Sequence, residues 1–267
     1  MFLTKKSLIK ILTMATCYFL LGSVSIAFWV VFNSMGIDEN FLLILGIIVY
    51  LLCPLIIFWG KYAEGKGKLI NLGNKLVRNE LKPVEFIKHY EFLRNSDDLI
   101  ICKPSIEILQ LIAAAYDSLD DREKALSTVD EMIDISSEKK KSFARLFKAS
   151  LLFSYDKKEE AEVLFNEIQK QKLDIISTGL VDAILKSDRA MAMGDYKTVE
   201  AYNLQMLERS FPKLDNLSKL VVHYTLGEVY EKLHDRENAV KYYQYCATYG
   251  GETAIKTSAI EKLQQMN

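Results

Sequence analysis

Two stretches near the start of the chain, Ile11 to Phe32 and Phe41 to Trp59, contain no charged side chain. An α-helix rises about 1.5 Å per residue, so apolar runs of roughly 20 residues reach across a hydrocarbon core of ~30 Å. Two transmembrane helices joined by the segment Asn33 to Asn40 are therefore expected. Lys5, Lys6 and Lys10 precede the first run and Lys61, Lys66 and Lys68 follow the second, while the connecting segment carries Asp38 and Glu39 and no basic residue. Lys and Arg beside a span stay on the cytoplasmic side. Both termini are accordingly expected in the cytoplasm, with residues 11–32 and 41–59 in the lipid bilayer. The compact two-span layout suits a bacterial cell membrane. A cleaved signal peptide is the competing reading of the first run, but the second run follows too closely to favour it.

The remainder is polar and electrically balanced. Removing Lys5, Lys6 and Lys10 from the 34 basic residues, and Asp38 and Glu39 from the 35 acidic ones, leaves 31 of one sign and 33 of the other. Such balance supplies no basic face, so nucleic acid is not an expected partner. Cys17, Cys53, Cys102 and Cys246 show no metal-ligand spacing, and cytoplasmic thiols stay reduced. Buried thiols are expected.

Beyond Lys61 the apolar residues recur every three or four positions, the period of a helix with one buried face. Ile106, Leu109, Ile112, Ala113 and Tyr116 share a face, and after a turn at Leu119 to Asp121 a second stripe carries Ala125, Val129, Met132 and Ile133. Pro83, Pro104 and Pro212 stand where helices begin, and Gly194, Gly250 and Gly251 mark turns. No strand pattern competes. The expected fold class is all-α.

The helices also repeat. In Tyr224 to Gly251, Leu226, Gly227 and Tyr230 on one helix are followed by Ala239, Tyr243 and Cys246 on the next. This unit resembles a tetratricopeptide repeat, a helical hairpin of about 34 residues. Ile112, Ala113 and Tyr116 with Ala125, Val129 and Met132 fit the same template. So do Ala149 and Leu152 with Ala161, Phe165 and Ile168. A further unit carries the turn Gly194-Asp195-Tyr196, with Val199 where the family has Ala, and His223 stands where it often has Trp. The anchors after each turn, Ala125, Ala161, Val199 and Ala239, lie 36, 38 and 40 residues apart, so the helices or loops are lengthened. Residues 1–65 thus read as a two-helix transmembrane anchor and 66–104 as linker helices with room for a degenerate hairpin over Leu69 to Phe92. An α-solenoid of four to five helix pairs follows over 105–267.

The resemblance implies that small residues such as Gly227 and Ala239 let helices cross closely while an aromatic such as Tyr243 plugs the gap. It also implies a concave groove, lined by the first helix of each unit, that grips a protein or peptide. Carried over position by position, the groove would present Gln110, Ala114 and Asp117, then Leu146, Ser150 and Phe153, then Ile184, Asp188 and Met191, and finally Tyr224, Glu228 and Glu231. The Lys and Asn pair with which some members clamp a C-terminal carboxylate is missing, and Glu228 and Glu231 would repel one. A segment with basic and apolar side chains fits better.

No catalytic signature competes with binding. His89, His223 and His234 have no ligand-like neighbours at helical spacing, and there is neither a Gly-rich phosphate loop nor a nucleophile elbow. Neither a cofactor nor a metal is expected. The functional expectation is a membrane-anchored, cytoplasm-facing adaptor or scaffold. Its alternatives are a peptide-sensing regulator and an accessory subunit of a transport or envelope-assembly complex.

Overall fold

The computed structural model describes residues 63–95, 104–170, 179–208 and 214–266, together with positions 22, 23, 44, 47, 48, 52 and 60. The chain divides into two compact units, Met1–Gly65 and Lys66–Asn267. The second is all-helical. Residues 66–79 form α1, whose end, Asn74–Asn79, is π-helical. Then come α2 (Pro83–Asn95), α3 (Ile106–Ser118), α4 (Arg122–Ile135), α5 (Glu138–Ser154) and α6 (Lys158–Lys170). The series continues with α7 (Gly179–Ala192), α8 (Tyr196–Glu208), α9 (Asn216–Lys232), α10 (Arg236–Tyr249) and α11 (Ala254–Met266). Sequence neighbours pack as antiparallel pairs, the arrangement of a helical repeat.

The transmembrane hairpin expected at the start of the fold is corrected. Among the described residues no helix is long and apolar enough to cross a membrane. Helices α5 and α9 have 17 residues each and carry charged side chains within their length, Arg145 and Lys148 in the first and Lys219, Glu228 and Glu231 in the second. The runs 11–32 and 41–59 lie outside the described residues except at Gly22, Ser23, Ile44, Ile47, Ile48 and Leu52. A membrane location therefore rests on the sequence pattern alone.

Repetition is visible in the backbone of the turns. Asp120, Asp156, Gly194 and His234 all adopt φ of 59 to 75°. Short polar side chains and glycine tolerate this left-handed region best. The next residue in each turn sends its N–H back to the helix just ended: Asp121 to Tyr116, Lys157 to Leu152 and Asp195 to Ala190, each at 2.9 Å, and Asp235 to Tyr230 at 2.8 Å. These bonds satisfy carbonyls that a helix end would otherwise leave unpaired. Asp121, Asp195 and Asp235 also cap the following helix, accepting from the backbone N–H of Lys124, Thr198 and Asn238. The anchors Ala125, Ala161, Val199 and Ala239 are fully buried.

The same register organises the packing. Seven residues before each left-handed position stands a small buried residue, namely Ala113, Ala149, Ser187 and Gly227. Opposite it on the second helix sits Val129, Phe165, Asn203 or Tyr243, each buried as well. In three pairs the contact is apolar. In the fourth, Asn203 Nδ2 donates to Ser187 Oγ at 2.7 Å, so a buried amide is satisfied where the other units use a methyl group or a ring. The last crossing has no room for a side chain: a Cβ added to Gly227 would lie 2.7 Å from Tyr243 Cε1.

Helices α1 and α2 are a further copy of this hairpin. Leu81 takes the left-handed position with φ 55°, and Lys82 N–H reaches back to Leu76 O at 2.7 Å, one residue farther than in the other turns. The π-helical end of α1 accommodates the extra residue. Gly73 is the small residue, and its hydrogen atoms face Phe86, which stands at the anchor position. The described residues of the second unit thus form five hairpins and the closing helix α11.

Gly227→Ala tests this crossing. Alanine favours a helix by about 1 kcal/mol over glycine, but crowding a packed ring costs typically ~1–3 kcal/mol. Urea unfolding should show a net loss; a gain would mean that the Tyr243 ring yields freely.

Candidate functional site

Helices α3, α5, α7 and α9 open the last four hairpins, and carboxylates on one side of them gather in two places. In the first, three hairpins meet. Asp117, near the end of α3, accepts a hydrogen bond of 2.6 Å from Tyr155 Oη, just past α5. Asp188, on α7, accepts from Ser150 Oγ on α5. Both residues keep some accessible surface, yet their carboxylates are closely surrounded by protein. Burial raises the Asp188 carboxyl to about 7, with the negative charge of Asp117 adding to the effect and the Ser150 bond opposing it. Burial raises Asp117 too, against the stabilising bond from Tyr155.

The second cluster joins α9, α10 and α11. Burial works against ionisation of Glu231, but hydrogen bonds from Tyr243 Oη at 2.8 Å and Lys262 Nζ at 3.0 Å hold its carboxyl below the usual range. Glu228, one turn away, is pushed up to about 7 by burial, with Lys262 opposing and Glu231 reinforcing. Tyr224 rises to about 12 through burial and the charge of Glu228, and its ring lies 5.6 Å from that of Tyr243.

The expected groove positions divide accordingly. Asp117, Ser150 and Asp188 come together, as do Tyr224, Glu228 and Glu231. Leu146 and Phe153 are instead buried in the core between α5, α6 and α7. Ile184 packs towards α8 and α9, Met191 towards Val199 and Val229, and Ala114 against the core of the first two hairpins. Gln110 is part-exposed. Tyr155 and Lys262 were not legible as site residues, because each meets its carboxylate only through packing of one hairpin on another. Among the described residues no group of three or more His, Cys, Asp or Glu is placed to hold a metal ion. A cavity of about 290 Å³ lies elsewhere, between α2, α3 and α4, and its walls include none of these carboxylates.

No protein-family model matches the chain, and none of the curated proteins is significantly similar to it. The helical-repeat architecture therefore stands on the internal repetition of turns and crossings.

Asp188 gives a pH test. Its carboxyl, ordinarily at 3.8, holds its proton to about 7 in the folded protein, so its contribution to stability is full below about pH 4 and is lost as pH rises through 7. The amide introduced by Asp188→Asn cannot ionise. The stability of this variant relative to the parent should therefore rise between pH 4 and 7, with a slope of about 1.4 kcal/mol per pH unit. A difference independent of pH in urea titrations would show an ordinary, hydrated carboxylate.

Proposed function

We propose that the second unit is a tetratricopeptide-like binding module whose inner helices take a partner segment bearing basic and apolar side chains. The observation that carries this reading is the pair of enclosed acids, Asp188 and Glu228, each with its carboxyl raised to about 7. Within the protein, their negative charge is under-compensated. Asp188 has a hydroxyl partner rather than a cation, and the Lys262 ammonium near Glu228 is hydrogen-bonded to Glu231. A Lys or Arg side chain supplied by a partner would favour ionisation of both and recover part of the desolvation cost. Tyr224, half-buried beside Glu228 on α9, offers apolar contact.

Recruitment is the biochemical role that follows: the module confers proximity on the protein it binds and carries out no chemistry of its own. Peptide arrays followed by titration in solution test it. Peptides combining Lys or Arg with Leu or Phe should bind saturably and more weakly at high salt, while acidic peptides of equal length should not bind. Asp188→Asn combined with Glu228→Gln should weaken binding at least tenfold. Binding that ignores both salt and these substitutions, or no binding by any basic peptide, contradicts the reading.

A further inference from the structure

The five left-handed turn positions hold Leu81, Asp120, Asp156, Gly194 and His234. Four of these suit the conformation, since Asp, His and Gly are enriched there, whereas a branched, bulky residue is disfavoured. Leu81 is the misfit. Its own hairpin supplies no reason for it, because its side chain is not part of the core formed by α1 to α4.

The reason lies at the other end of the repeats. Leu81 is 4 % exposed and packs with Leu220, Ala239, Tyr243, Cys246 and Ala259, all from the last hairpin and the closing helix. Its carbonyl accepts the N–H of Glu252 at 2.9 Å. Gly251, itself left-handed with φ 58°, leaves the space: a Cβ there would fall 2.5 Å from Leu81 Cβ and 2.7 Å from its carbonyl oxygen. Beside this contact, Asn216 Nδ2 donates to Asn79 O at 2.7 Å, and Arg78 pairs at 3.6 Å with Asp215. Asp215 also caps α9 through the Ser218 N–H. Leu217 completes the join by touching the cores of both ends.

We propose that the corner Asn79–Lys82 is a releasable latch that closes the stack of five hairpins end to end, and that its release admits a partner to the inner helices. Three features make it releasable. A single turn side chain, Leu81, enters the far hairpin, the polar contacts beside it lie at partly exposed sites, and its left-handed backbone is one that leucine disfavours. Releasing the corner withdraws Leu81 from the cluster that covers Cys246, whose thiol is fully buried, donates to Leu220 O and is pushed up to about 12 by burial. In this joined state the carboxylates of Asp117 and Asp188 are enclosed. The admission step rests on the inner-face reading above; the latch itself does not.

Two substitutions separate a latch from ordinary core. Leu81→Asn puts a turn-compatible residue at the left-handed site and removes the seated side chain. Gly251→Ala leaves Leu81 in place and forces the corner outward. In the full-length protein, hydrogen exchange resolved by mass spectrometry and alkylation of Cys246 read the outcome. Each variant should speed exchange at Glu252 and labelling of Cys246 at least tenfold, with amides of α3 to α8 unchanged. No acceleration, or equal acceleration throughout α3 to α8, overturns the latch. Admission is read by titrating a Lys- and Leu-rich peptide. The variants should bind it more tightly, because apparent affinity scales with the competent fraction. Equal or weaker binding by the variants overturns admission. Absence of binding to every form overturns both admission and the inner-face reading, while the exchange result still decides the latch.

Discussion

The helical unit depends on how closely the two helices of each hairpin cross, and that closeness is granted by a single small residue. Gly73, Ala113, Ala149, Ser187 and Gly227 occupy that place in turn, and each faces a larger buried partner. Packing at interior density leaves no slack at such a contact, so the crossing fixes the pitch of every hairpin and hence the placement of the next. One hairpin cannot bury both of its apolar faces, and stacking supplies the missing cover. The Ser187–Asn203 pair shows that the constraint is one of size and satisfaction: polar atoms are admitted where they bond each other.

Much of this was legible in the sequence, since the determinants are local. The period of the apolar residues gives helices, and the spacing of Ala125, Ala161, Val199 and Ala239 gives the repeat. The Gly227 and Tyr243 pairing marks a close crossing. The first hairpin was visible only as an outline over Leu69 to Phe92. Its anchor is Phe86 where other units have Ala or Val, its turn residue is a leucine, and its register is displaced by one residue within a π-helical segment. A template built on the other units does not anticipate three such departures. The charge-free runs illustrate the opposite limit: a strong local signal on residues that the described fold does not include.

The site was legible in part, for a related reason. Position within a hairpin identified Asp117, Asp188, Glu228 and Glu231, because facing is a property of the helix. What surrounds them is a property of the stack. Tyr155 reaches Asp117 from the next hairpin and Lys262 reaches Glu231 from the closing helix. The same distinction applies to Leu146 and Phe153, placed on the groove by analogy of position: they hold the same register as Gln110 and Asp117 in the preceding hairpin, but the packing of α6 and α7 on α5 makes them core. Enclosure then gives the acids their character, as burial outweighs the hydroxyl and ammonium groups near Asp188 and Glu228.

Closure of the stack ties these features together, joining the first hairpin to the last across 137 residues through Asn79 and Asn216. The most direct measurement is the distance between spin labels placed on Lys75 and Lys219 in the full-length protein, by pulsed electron resonance. A closed stack gives a short, narrow distribution. A long or broad distribution in the resting protein, as from an open superhelix with separated ends, contradicts the closed arrangement and the enclosure of the inner-face acids with it.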